Sequence, residues 1–150
     1  MISFWQNDPR LALSEREYSC AVLDSLYLMP DDYTPEQVNE LVLRAVINKL
    51  LDAECTILSW ARWLGSLVSS QTVLRYPLSF VRKAGASYVC EINEREILKG
   101  SLSNIGGYHF VVGNGEAFTG VGNVAWDSCN RPDVLRDYWT FVEKVIIKVG

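Results

Sequence analysis

Apolar positions recur at helical spacing through the first half of the chain and gather into strand-like runs through the second. Val22, Leu23, Leu26 and Tyr27 fall on one helical face, and Pro30 ends the run. Two starts are open for this helix. Ser14-Glu15-Arg16-Glu17 has the Ser-x-x-Glu form of a capping box, which places Cys20 in the second turn. Capping by Ser19 instead makes Cys20 the first helical residue, at the positive end of the helix dipole. A stronger start signal is Thr34-Pro35-Glu36-Gln37, with Thr at the cap, Pro at the first helical position and Gln reaching back. Behind it Val38, Leu41, Val42 and Ala45 form an apolar face. A third cap, Ser59, precedes Trp60, Trp63, Leu64 and Leu67, a stripe whose spacing reads as core packing.

In the second half, Thr72-Val73-Leu74-Arg75-Tyr76 and Ser87-Tyr88-Val89-Cys90-Glu91-Ile92 are rich in β-formers and read as strands. Stretches 108–112 and 121–126 follow, set apart by glycine-rich segments, and the apolar run over 141–149 reads as a strand that closes the sheet. Residues 93–99 read as a short helix or a turn. Helices first and strands second predict an α+β domain, its N-terminal helices packed on a C-terminal antiparallel sheet. No repeat or linker interrupts the 150 residues, which fit one domain with a core of its own.

Composition narrows the function classes. A net charge of −4 disfavours a nucleic-acid binder, and Arg75, Arg82 and Lys83 are too sparse to form a basic face. No apolar run approaches the roughly 20 residues a membrane span needs. The start, Met1 to Asp8, lacks the basic region and apolar core of a secretory signal, so a cytoplasmic location is expected. The four cysteines, Cys20, Cys55, Cys90 and Cys129, lack the paired spacing of a zinc site, and a single histidine supplies a mixed Cys/His site poorly. No metal or organic cofactor is expected. Cys55, Cys90 and Cys129 read as mostly buried free thiols.

The one histidine, His109, opens Tyr108-His109-Phe110-Val111-Val112-Gly113-Asn114-Gly115, a strand closed by a turn. Asp127 follows at the end of the next apolar run, far enough along the chain for a return strand, so neighbouring strands can present imidazole and carboxylate on the same side. Cys20 lies far upstream on a helix. Thiol, imidazole and carboxylate are the parts of a cysteine hydrolase: a nucleophile, its base and a group that orients the base. Taken singly, each has a plainer reading. His109 fits a hydrogen-bonded surface or core position, Cys20 fits an apolar helix face, and Asp127 before Ser128 and Asn130 fits turn chemistry. Their conjunction, in this order and on these element types, favours the catalytic reading.

The run Tyr18-Ser19-Cys20-Ala21-Val22-Leu23-Asp24-Ser25-Leu26 is similar to the nucleophile helix of papain-like cysteine peptidases. His109 to Gly115 and Trp126-Asp127 resemble the histidine and aspartate segments of small phage and prophage proteins related to bacteriocin leader-processing peptidases. The middle of the chain, from Thr34-Pro35-Glu36-Gln37-Val38-Asn39 to Asp52-Ala53-Glu54-Cys55, resembles the same group. The resemblance implies a papain-like fold with Cys20 as nucleophile, His109 as general base and acid, and Asp127 as orienter. It also implies a protein or peptide substrate, or a host protein as partner, inside a bacterial cell. Two departures stand out. Where papain-like enzymes place an oxyanion-hole Gln, six residues before the nucleophile, this chain has Ser14, and Ser128 follows Asp127 where Pro is common. Losing an oxyanion donor costs about 100-fold or more in rate. Ser14 or Gln6 is a candidate substitute, and an inactive interaction module is the rival reading.

Overall fold

A computed structural model describes residues 2–71 and 77–150. It is an α+β fold: helices α1 (Leu13–Tyr18), α2 (Cys20–Tyr27), α3 (Pro35–Ile47) and α4 (Trp60–Ser66) precede strands β1 (Leu78–Ala84), β2 (Glu94–Leu102), β3 (Tyr108–Gly113) and β4 (Val124–Trp126). Helix α5 (Pro132–Tyr138) and strand β5 (Trp139–Val149) follow. The strands pair antiparallel in the order β1-β5-β2-β3-β4. Strand β5 therefore lies inside the sheet between β1 and β2, where sequence alone suggested only that it closes the sheet. The expected strand over 72–76, Arg75 included, lies outside the described residues.

Alternation along the central strands divides the core into two layers. Ile97, Val145 and Ile147 pack with Val22, Leu23 and Leu26 of α2, Val38 and Val42 of α3, and Trp63 and Leu64 of α4. Residues one position out of phase, Leu98 among them, pack with Val111, Leu135 and Trp139 in a smaller cluster. Every fully buried leucine or isoleucine side chain adds about 1.5–3 kcal/mol relative to exposure, so the larger helical layer carries most of the hydrophobic stabilisation.

Local signals explain the helices unevenly. The Thr34 capping box forms completely: Thr34 Oγ1 accepts from the Gln37 amide at 3.2 Å and Gln37 Oε1 accepts from the Thr34 amide at 2.9 Å. Ser59 caps α4 by accepting from the Arg62 amide at 3.3 Å. Ser14 does not cap. Helix α1 starts at Leu13 behind Ala12, and Ser14 Oγ donates to Glu15 Oε2 at 2.8 Å. The helix is instead broken at Ser19, whose hydroxyl donates back to the Glu15 carbonyl and whose own carbonyl accepts from Leu23 at 2.8 Å to start α2. Cys20 is therefore the first residue of α2, but the expected Ser19 cap does not form, since its side chain is turned back to Glu15.

Two expectations fail, one for a strand and one for a helix or turn. Residues 87–92 form a loop in which Ile92 is 97% exposed, while 93–99, expected as a helix or turn, supplies most of the central strand β2. The reversal comes from tertiary pairing. Glu94, Arg95 and Glu96 look like surface residues, but Glu96 finds Lys144 of β5 at 2.8 Å, with both side chains fully buried. Stretch 121–126 is only half strand, since residues Val121–Asn123 make a 3-10 turn before β4. Helix α5 was not anticipated, although Pro132 at its first turn is a start signal.

Candidate active site

Three elements deliver the site. Helix α2 supplies Cys20 at its first position, β3 supplies His109 one residue into the strand, and the turn after β4 supplies Asp127. Stacking holds the elements in place. Tyr27, at the far end of α2, stacks on Trp126 with ring centroids 4.6 Å apart, and Trp5 stacks on the same indole at 5.9 Å. Trp126 immediately precedes Asp127, so these contacts tie the carboxylate to the helix that bears the thiol.

The backbone of His109 is pinned from below. Its carbonyl accepts a 2.9 Å hydrogen bond from Trp139 Nε1, and its cross-strand partner is Gly100. A Cβ at Gly100 would collide with the Trp139 indole, so this position requires glycine for that ring to lie against the strand.

Asp127 accepts at 2.7 Å from His109 Nε2. The Asp127 carboxylate is fixed by its own turn: Oδ1 accepts from the Cys129 amide at 3.0 Å and Oδ2 from the Arg131 amide at 3.2 Å. Turn chemistry and ring orientation are thus one arrangement and not competing explanations. Cys20 lies near enough to the same imidazole to bear on its charge. With Nε2 turned to the carboxylate, Nδ1 is the nitrogen left for the sulfur. The fold therefore brings together all three residues expected from sequence. Cys20 is 8% and His109 7% exposed.

The electrostatics favour a charged ring. Burial works against the imidazolium, but the hydrogen bond to Asp127 and the nearness of the Cys20 and Cys129 sulfurs outweigh it and raise the His109 pKa well above its ordinary value. Burial likewise opposes ionisation of Asp127, yet the His109 bond and charge and the two amides hold its pKa below the usual carboxylate value. Burial governs the thiols of Cys55, Cys90 and Cys129. Burial, reinforced by neighbouring carboxylates, pushes Cys55 and Cys90 up to about 12, and Cys129 goes to about 11.

Both candidate oxyanion donors bond elsewhere, Gln6 with one of its two Nε2 protons. Ser14 Oγ is turned to Glu15, and Gln6 Nε2 donates to the Arg16 carbonyl at 3.2 Å. Gln6 acts as a clasp: its amide donates to the Ser128 carbonyl at 2.7 Å, and its Oε1 accepts from Ser128 Oγ at 2.7 Å and from Cys129 Sγ at 3.5 Å.

Sequence reasoning missed two groups at this site. Asp24, one helical turn after Cys20, is fully buried and neither carboxyl oxygen has a hydrogen-bond partner among the described residues. Burial first, then the nearness of the Cys20 sulfur, raises its pKa well above the ordinary value. Its place in the apolar stripe with Val22, Leu23 and Leu26 was the available signal. The second group is Cys129, expected simply as a buried thiol. Its sulfur, a His109 ring nitrogen and an Asp127 carboxylate oxygen lie within 4.8 Å of one another. The metal-ligand spacing absent from the sequence is thus supplied in part by the fold.

A pocket of about 300 Å³ opens beside this turn, with Trp5, Trp126, Asp127, Arg131 and Leu135 in its wall. Among the described residues, no helix is long and apolar enough to cross a membrane. Comparison with protein-family models, with curated proteins and with solved structures found no match, so the site is argued from its own geometry.

Proposed function

We propose that this chain is a papain-like cysteine hydrolase, phage or prophage encoded and acting in a bacterial cytoplasm, that cleaves a peptide, isopeptide or related amide bond. The observation that carries the reading is the placement of the imidazole: Nε2 sits 2.7 Å from Asp127, and the Cys20 thiol at the start of α2 lies near the same ring. That is the nucleophile, base and orienter set of covalent acyl transfer.

In this mechanism His109 takes the Cys20 proton and the thiolate attacks the substrate carbonyl. The imidazolium then gives its proton to the departing amine as the C–N bond breaks, leaving a thioester. Water, deprotonated by the same ring, attacks the thioester; the carboxylic acid leaves and the thiol is restored. Asp127 holds the ring in one tautomer throughout and offsets its positive charge. The Cys20 amide is the oxyanion donor that the chain supplies at the nucleophile itself.

Iodoacetamide labelling at neutral pH, read by peptide mass spectrometry, tests the reading. Cys20 should alkylate fast, the three other thiols slowly, and His109→Ala should slow Cys20. Equal, sluggish labelling of all four thiols overturns it.

A second reading is favoured by the Ser14 hydroxyl, at the usual oxyanion position, being turned to Glu15: an inactive domain on the same fold that binds a host protein, for example to antagonise defence. It requires that Cys20→Ala keep the biological effect of the protein, whereas the hydrolase reading requires loss of that effect with the fold intact.

A further inference from the structure

We propose that His109, Asp127 and Cys129 form a binding site for a thiophilic divalent cation of the zinc class, and that filling it silences the Cys20–His109 pair. The regulatory half rests on the hydrolase reading above; the metal site does not.

Cys129 is the starting point, because the hydrolytic steps give it no task. Its sulfur nevertheless lies within 4.8 Å of both a His109 ring nitrogen and an Asp127 oxygen. Nitrogen, oxygen and sulfur donors in one cluster suit zinc, which takes imidazole, carboxylate and thiolate at about 2.0–2.3 Å in tetrahedral geometry. Those bond lengths place neighbouring ligand atoms roughly 3.2–3.8 Å apart. The His109–Asp127 contact at 2.7 Å must open slightly and the sulfur must swing inward, both within the reach of side-chain rotation.

The surroundings permit that swing. Cys129 Sγ gives up only a 3.5 Å bond to Gln6 Oε1, which keeps the 2.7 Å bond from Ser128 Oγ. The Asp127 carboxylate stays aimed by the Cys129 and Arg131 amides, the supporting shell that a metal ligand needs. Three protein ligands leave a fourth position for water, and the pocket walled by Asp127, Trp5 and Trp126 reaches the same turn.

Binding displaces the proton from Nε2 and the proton from the Cys129 thiol, so both are released to solvent as the cation takes their places. The ring then turns its Nε2 lone pair to the metal and no longer donates to Asp127. Cys20, on the other side of the ring, loses the oriented imidazolium that keeps its sulfur reactive.

The test is equilibrium dialysis of the full chain against zinc chloride, with cobalt(II) as a spectroscopic substitute. The unmodified chain should bind one ion and show thiolate-to-cobalt charge-transfer absorption. Cys129→Ala and the closer mimic Cys129→Ser should bind at least tenfold more weakly and lose that absorption, while Cys20→Ala keeps both. Zinc should slow Cys20 alkylation tenfold or more in the unmodified chain and far less in the Cys129 variants. Binding that survives in both Cys129 variants, or vanishes in Cys20→Ala, overturns the site by assigning the ion to the Cys20–His109 pair or elsewhere. If Cys20 is unreactive without zinc, the hydrolase reading and the regulation fail together, and dialysis still decides the site.

Discussion

The Glu96–Lys144 pair and the group around His109 are both buried and both ionic, but their surroundings answer the charge differently. Lys144 Nζ gives its three protons to Glu96 at 2.8 Å and to the Tyr88 and Glu116 carbonyls at 2.7 Å each. Glu96 in turn accepts from the Gly115 amide at 3.0 Å and from Cys90 Sγ at 3.7 Å. Both side chains are fully buried, and the pair fastens the loops before β2 and after β3 onto the sheet. Around His109, by contrast, the imidazole is bonded to the Asp127 carboxylate with the Cys20 thiol nearby, and buried Asp24 has no hydrogen-bond partner for its carboxyl group among the described residues. A saturated cluster specifies a fold; an incompletely answered one keeps groups available for chemistry, at a cost in stability.

Replacing one cation in each cluster should separate the two roles. His109→Ala should slow Cys20 alkylation by about 10²- to 10⁴-fold, the ordinary contribution of a positioned base. Its effect on stability should be modest, because Asp127 keeps the Cys129 and Arg131 amides. Lys144→Met should do the reverse: it should cost about 3–5 kcal/mol in urea unfolding by leaving Glu96 charged and unpaired. Adding Glu96→Leu should recover part of that loss, the Tyr88 and Glu116 carbonyls remaining unserved.

Asp24 sharpens the contrast through pH. Its folded pKa is raised, so the folded state holds a proton that the unfolded chain releases once pH passes the ordinary carboxyl range. Its contribution is fully favourable below that range and is lost as pH rises toward the folded value, at up to about 1.4 kcal/mol per pH unit. The groups facing it are Cys20, His109 and Asp127. Asp24→Asn should flatten this slope and stabilise the protein at neutral pH, as measured by urea unfolding at a series of pH values. An unchanged slope would remove Asp24 from the comparison. The smallest effect is a control distant from both clusters: Thr34→Ala should cost about 1 kcal/mol with Cys20 labelling unaltered.

Sequence reading succeeded where the determinant was local. The Thr34 box, the Ser59 cap and the strand bearing His109 follow from neighbouring residues, and the order of Cys20, His109 and Asp127 along the chain pointed to elements that do meet. It failed where partners come from afar. Residues 93–99 looked like a turn because their acidic and basic side chains are acceptable in a strand core only once Lys144 arrives from β5. Residues 87–92 read as a strand because Tyr88, Val89 and Ile92 are β-formers, yet they join no strand of the described sheet. Cys129 looked like any buried thiol, since only the closure of the 127–131 turn brings it to the imidazole.

The Gln6 clasp bears on how the protein is made. Its bonds to Ser128 and Cys129 span 122 and 123 positions, so the two ends of the site are synthesised far apart in time. A ribosome adding about 5–20 residues per second exposes Cys20 several seconds before the turn that carries Asp127. Throughout that interval the nascent Cys20 thiol has neither His109 nor Asp127 beside it. On the proposed hydrolase reading, the last long-range contacts to form complete the site, and the translation machinery and the chain itself stay out of reach of an unfinished one.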